Sequence, residues 1–127
     1  MSYPVLGLKT FLIILNTLLV MQQIKDITPK KLMEGITGHY AHGENISFGL
    51  VEIEAGTIMP LHQHVHEQIT YLLEGQLEMD IGGVIYLLIP GSYHVIPSGV
   101  RHGAYAKTAC KLIDVFNPVR EEYKTQQ

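Results

Sequence analysis

From Ile46 onward, apolar and polar residues alternate in short runs that each end at a turn signal. This period-two pattern predicts strands rather than helices. Ile46 to Glu54 forms the first such run, and Ala55-Gly56-Thr57 breaks it. Gln68 to Leu73 is the next, turned by Glu74-Gly75 into Gln76 to Ile81 as a hairpin partner. Gly82-Gly83 predicts a tight turn, because glycine reaches positive φ without steric cost. Val84 to Ile89 follows, then Pro90-Gly91, and Tyr93 to Ile96 ends at Pro97-Ser98-Gly99. A final run, Lys111 to Phe116, precedes Asn117-Pro118. No amphipathic helix is predicted before the last few residues, and no internal repeat or low-complexity segment is present. Many short strands with Gly/Pro turns predict an all-β sandwich or barrel.

A chain of 127 residues suits one domain. With 46% hydrophobic and 17% charged residues it is globular in composition, not disordered. A net charge of −3 and the lack of a Lys/Arg run argue against a nucleic-acid partner. Cys110 stands alone, so no intrachain disulfide or thiolate cluster forms, in keeping with a reducing cytoplasm. Residues 1–20 form an apolar extension ahead of a domain spanning 21–127. Val5 to Val20 is short for a membrane span and is interrupted by Thr10, Asn16 and Thr17. Its first reading is an upstream start with Met21 opening the domain. A signal or anchor, which would place the protein in the periplasm or at a membrane, is second, and a packed segment third. No membrane partner is expected otherwise.

Seven histidines are present, and their spacing is informative. In extended chain, residues of equal parity share a face, so His62 and His64 aim at one point and Gln68 joins them if the loop keeps phase. His102 follows the Pro97-Ser98-Gly99 turn and approaches from a neighbouring strand. Neutral imidazoles with an amide oxygen suit one divalent first-row ion; zinc, nickel, iron and manganese all fit. His66 is expected to be exposed in a turn, His39 and His42 to lie in a loop-like surface stretch, and His94 is unassigned. Asp114 shares parity with Leu112 and Phe116, so its carboxylate needs a partner or a task. Arg120 is a candidate ion-pair partner or a clamp for a substrate carboxylate. Tyr71 and Phe48 are expected in the core, where they would line or support the site.

These landmarks resemble the two motifs of the cupins. Gly56, His62-Gln63-His64, Gln68 and Gly75 match the first; Gly91, Pro97-Ser98-Gly99, His102 and Ala106 match the second. The likeness implies a single-domain cupin-type β-barrel (double-stranded β-helix, or jelly roll) with a metal held by His62, His64, Gln68 and His102. Gln68 stands where the family usually has Glu, and Ala106 where it usually has Asn. Without an anionic ligand the ion keeps its full double charge, which favours Lewis-acid and anion-binding roles over redox chemistry.

The stretches His62 to Gly75 and Asp114 to Tyr123 resemble the cupin branch that acts on unsaturated uronates released from pectin and alginate. That likeness implies conversion of a cyclic 4,5-unsaturated uronate, a small anionic sugar, to its linear keto form. Asp114, Phe116 and Arg120 would belong to the active site. A metal-dependent dioxygenase and a non-catalytic sugar or small-acid binding module are the alternatives. Strands apolar on both sides also leave surface for a partner, and cupins of this type pair through sheet faces, so a homodimer is expected.

Overall fold

The alternation that predicts strands also decides which side chains face inward. A computed structural model describes residues 7–10, 12 and 21–124, so the stretch from Val5 to Val20 falls largely outside the described residues. Ten strands are found among them: β1 (Lys30–Met33), β2 (Ile36–His42), β3 (Ser47–Ile53), β4 (Ile58–His62), β5 (Glu67–Glu74), β6 (Leu77–Ile81), β7 (Val84–Leu88), β8 (Tyr93–Ile96), β9 (His102–Ala106) and β10 (Cys110–Asn117). Two antiparallel sheets result, one in the order β1-β2-β3-β10-β5-β8 and one in the order β4-β9-β6-β7. Val51, Leu72, Ile96 and Leu112 of the first face Leu77, Met79, Ile81 and Leu88 of the second across one core. This is the all-β jelly roll that the sequence predicts.

Six strands fall where the alternation places them, and Gly82-Gly83 turns with φ of 60° and 91°. Four strands escape that reading. β1 is short, and β2 carries Gly38, His39 and His42 in place of an apolar run. β4 contains Pro60, tolerated because β4 is a sheet edge where a missing N–H need not break a ladder. β9 is His-Gly-Ala-Tyr-Ala, too small in its side chains to read as a strand.

The β2 strand corrects the placement of His39 and His42, both half-buried rather than lying in a surface loop. His39 Nδ1 sits 2.8 Å from the Ile27 carbonyl and His42 Nδ1 sits 2.8 Å from Ser47 Oγ. Phe48 and Tyr71 are a second correction: they are 37% and 38% exposed on the outer face of the larger sheet, not in the core. His94 stacks on Tyr86 with ring centres 4.3 Å apart, joining the β8 and β7 edges. At the C-terminus only a short 3₁₀ turn forms, Glu121–Tyr123.

Strand register sets two inward rows of the larger sheet. Tyr40, Gly49, Asp114, Thr70 and His94 are successive cross-strand neighbours, and so are His42, Ser47, Phe116, Gln68 and Ile96. Gly49 and Gly38 are glycine for want of space. A Cβ would stand 2.4 Å from the Tyr40 ring at Gly49 and 2.5 Å from it at Gly38. Neither strand backbone can yield easily, so Gly49→Ala should destabilise the fold by about 1–3 kcal/mol, as overpacking does. Urea denaturation of both proteins measures this.

Candidate metal centre

Strand pairing brings the histidines together. His62 at the end of β4 is the cross-strand neighbour of His102 at the start of β9. His64 lies in the β4–β5 loop, which is tied to the turn before β9 by the Gly99 N–H donating to the His64 carbonyl at 2.8 Å. The ligand atoms of His62, His64 and His102 lie within 4.8 Å of one another. Gln68 joins them from β5, its Oε1 3.1 Å from His64 Nε2. His102 and Gln68 are buried, and His62 and His64 are half-buried.

Hydrogen bonds fix which nitrogen of each ring faces inward. His62 Nδ1 meets the Pro60 carbonyl at 2.9 Å, His64 Nδ1 the His66 carbonyl at 2.9 Å, and His102 Nδ1 the Val100 carbonyl at 2.8 Å. A carbonyl only accepts, so each Nδ1 carries the proton and each Nε2 presents a lone pair. Burial and the positive Arg120 lower His64 to about 4, and burial lowers His102, so both are neutral near pH 7.

The amide of Gln68 is oriented by its other neighbours. Its Nε2 donates to Thr70 Oγ1 at 2.9 Å and to Asp114 Oδ1 at 3.2 Å. A flipped amide would set its oxygen against that carboxylate. Oε1 therefore faces the His64 Nε2 lone pair, acceptor against acceptor. His102 Nε2 is buried with no hydrogen-bond partner among the described residues. Convergent lone pairs without a donor are costly unless something positive sits among them, so the residues present fit a divalent cation.

Asp114 stands directly behind this cluster. Thr70 Oγ1 donates to its Oδ1 at 2.6 Å, the same oxygen that Gln68 reaches. Burial pushes its carboxyl up to about 6, against the pull of Thr70, Gln68 and the positive Arg120. Arg120 is 8% exposed, but its ion-pair partner is Glu122, through Nε; among the described residues it makes no ion pair with Asp114. Its guanidinium carbon lies 4.7 Å from the Phe116 ring centre and 4.1 Å from that of Tyr123. Phe116 also meets His64 edge to face at 5.9 Å.

A cavity of about 40 Å³ runs from this cluster into the barrel, and His62, Gln68, His102, Asp114, Phe116 and Arg120 line it. Sequence reasoning missed three further residues around it. Thr70 reads as an ordinary strand residue, Tyr40 is hidden in a stretch that looks like a loop, and Tyr123 follows the last predicted strand. His66, expected to be exposed, is half-buried with its ring 6.3 Å from Phe116 and its Nδ1 without a partner.

An ion that binds only the folded chain stabilises it by about 2.7 kcal/mol at a hundredfold excess over its dissociation constant. Zinc added at pH 7.5 should raise the thermal midpoint of the wild type and leave that of His102→Ala unmoved. Protons compete for Nε2, and burial has moved His64 down to about 4. Calorimetric affinity should therefore fall as pH approaches 4 and keep falling below it, not near the free-imidazole value of about 6.5.

Comparison with known proteins agrees with this geometry. The family model described as a cupin domain matches residues 49–116. Among solved structures, an RmlC-like cupin from Shewanella frigidimarina superposes with a TM-score of 0.77 at 26% identity, covering 81% of this chain and 94% of that one. KdgF from Halomonas sp. gives a TM-score of 0.73 at 29% identity, covering 79% and 94%. L-ectoine synthase of Nocardia farcinica is 30% identical over 79 residues, 60% of either chain, so the match spans about three fifths of that relative. No helix among the described residues is long and apolar enough to cross a membrane. With both motifs, the two-sheet barrel and a family match over more than half its length, the chain belongs to the cupin domain family.

Proposed function

We propose that the chain is a metal-dependent enzyme that converts a cyclic 4,5-unsaturated uronate to its linear keto form. One observation carries this reading: the Asp114 carboxyl, which burial pushes up to about 6, accepts a hydrogen bond from the amide of Gln68, the fourth ligand in the proposed set. The resemblance of His62 to Gly75 and of Asp114 to Tyr123 to the uronate-acting branch supports it. So does the likeness to KdgF.

When bound at His62, His64, Gln68 and His102, a divalent ion would supply a Lewis acid for the carboxylate and ring oxygens of the sugar. Arg120 places a positive charge in the same interior to orient the substrate carboxylate. Both hydrogen bonds to Asp114 from Thr70 and Gln68 fall on Oδ1, so Oδ2 is turned to the substrate. As carboxylate, Asp114 takes the proton of the anomeric hydroxyl. The C1–O5 bond breaks, C1 becomes an aldehyde, and O5 is left as the enolate. Asp114 then returns the proton to C4, and C5 becomes the ketone. No atom is gained or lost, and a group near 6 suits both halves of the transfer. Phe116 packs beside His64 and keeps water from that carboxyl.

The cavity of about 40 Å³ holds about three waters, less than a sugar needs. Binding of a uronate therefore requires the cavity to widen.

The same reading includes a homodimer. On the outer face of the larger sheet, Ala41, Phe48, Val115, Ile69 and Val95 form one cross-strand row, and Leu50, Ile113, Tyr71 and Tyr93 lie along the next. Antiparallel sheets normally turn polar residues to solvent, and a patch of this kind marks an interface. The two rows hold no Asp, Glu, Lys or Arg, and only His39, the cross-strand neighbour of Leu50, ends the second with a titratable imidazole, so a second copy meets them across a two-fold axis without repulsion between fixed charges.

Incubation with unsaturated galacturonate should abolish its ultraviolet absorbance, and a chelator should stop the loss. Asp114→Asn should keep the metal and lose about 10²–10⁴-fold in kcat; a near-normal rate would end its proton-transfer role. In sedimentation velocity the wild type should run as a dimer and Ile69→Lys as a monomer, whereas a monomeric wild type would remove the dimer from this account.

A further inference from the structure

Tyr40 is 5% exposed, and its buried hydroxyl has no hydrogen-bond partner among the described residues. An orphaned buried hydroxyl is destabilising, and phenylalanine would fill the same space without it. The strands also make unusual room for this ring. Gly49 is its cross-strand neighbour and Gly38 precedes it by two on β2; a Cβ on either would collide with it. Tyr123 lies over it at 4.7 Å between ring centres. Across Gly49, which has no side chain to intervene, the next residue in the row is Asp114. Tyr40 lines the same cavity as His62, His102, Gln68 and Arg120. A donor in that position faces whatever enters the cavity.

We propose that the Tyr40 hydroxyl is a ligand contact, donating a hydrogen bond to an oxygen of the uronate held at the histidine centre. This rests on the uronate reading above and adds a specificity residue to it. The neutral phenol is a donor that leaves the charge balance of Asp114 and Arg120 unchanged. It distinguishes an oxygen-rich sugar acid from an apolar carboxylate of the same size, because only the former offers an acceptor there.

The test compares wild type and Tyr40→Phe, both loaded with zinc, in turnover of unsaturated galacturonate and in calorimetric binding of saturated galacturonate. Thermal unfolding of both without ligand or metal is the control. Tyr40→Phe should melt at the same temperature as the wild type or higher, and its KM and its galacturonate dissociation constant should rise about tenfold or more. Turnover in the wild type with both constants within twofold in Tyr40→Phe would overturn the contact and leave the uronate reading standing. Galacturonate binding that the substitution weakens, without turnover in the wild type, would uphold the contact and remove the ring-opening step. A wild type that neither binds nor turns over these sugars would overturn both. A lower melting temperature for Tyr40→Phe would mean that the hydroxyl serves the fold, and would also overturn the contact.

Discussion

A neutral imidazole has one proton for two nitrogens, and in His62, His64 and His102 a backbone carbonyl takes it. The bonds from Nδ1 to Pro60, His66 and Val100 are local, each within two residues of its histidine. They set ring orientation and tautomer together, and they leave three Nε2 lone pairs converging on one small volume. In water such lone pairs would be solvated; among the described residues His102 Nε2 has no partner. The barrel therefore holds a cluster of acceptors that a cation would satisfy, and second-sphere bonds of this kind tune a metal site as much as its ligands do.

Gln68, the fourth ligand we propose, links that cluster to the acid behind it. The Gln68 amide points its oxygen toward the histidines because its NH₂ is held by Thr70 and the Asp114 carboxylate. A glutamate at this position, usual among cupins, would set one buried carboxylate 3.2 Å from another, a pairing that opposes ionisation of both. Glutamine and Asp114 are thus one arrangement. In the function we propose, a carboxyl outside the metal's ligand set would be free for proton transfer, and a neutral ligand set would leave the ion its whole charge for an anionic guest. The larger sheet makes this geometry possible by pairing β10 with β5, which places Asp114 opposite Thr70 and Phe116 opposite Gln68.

Much of this is legible in the sequence, for reasons that differ by residue. The strands around Val51, Leu72, Leu77 and Leu112 announce themselves because burial on one face enforces alternation. His62, His64, Gln68 and His102 can be found because period two and the Pro97-Ser98-Gly99 turn constrain where their side chains point. Asp114 shows itself as a charge at a buried parity. What stays hidden is whatever depends on pairing between distant strands. Nothing near Tyr40 in the sequence shows that Gly49 will lie beside it and leave its ring room, so β2 reads as a loop and His42 as a surface residue. Arg120 was matched to Asp114 by proximity in sequence, whereas the turn at Glu121–Tyr123 gives it Glu122 and the faces of two aromatic rings. Phe48 and Tyr71 misled because a large aromatic residue in a strand looks like core, and only the sheet's curvature around its contents decides which face is inside.

The most direct test is ¹⁵N NMR of the histidine side chains in the metal-free protein, followed by titration with zinc. The account predicts that His62, His64 and His102 all carry their proton on Nδ1 near neutral pH and that their Nε2 resonances alone shift when zinc is added. Protons on Nε2 in the metal-free rings, or zinc that perturbs a different set of nitrogens, would contradict it.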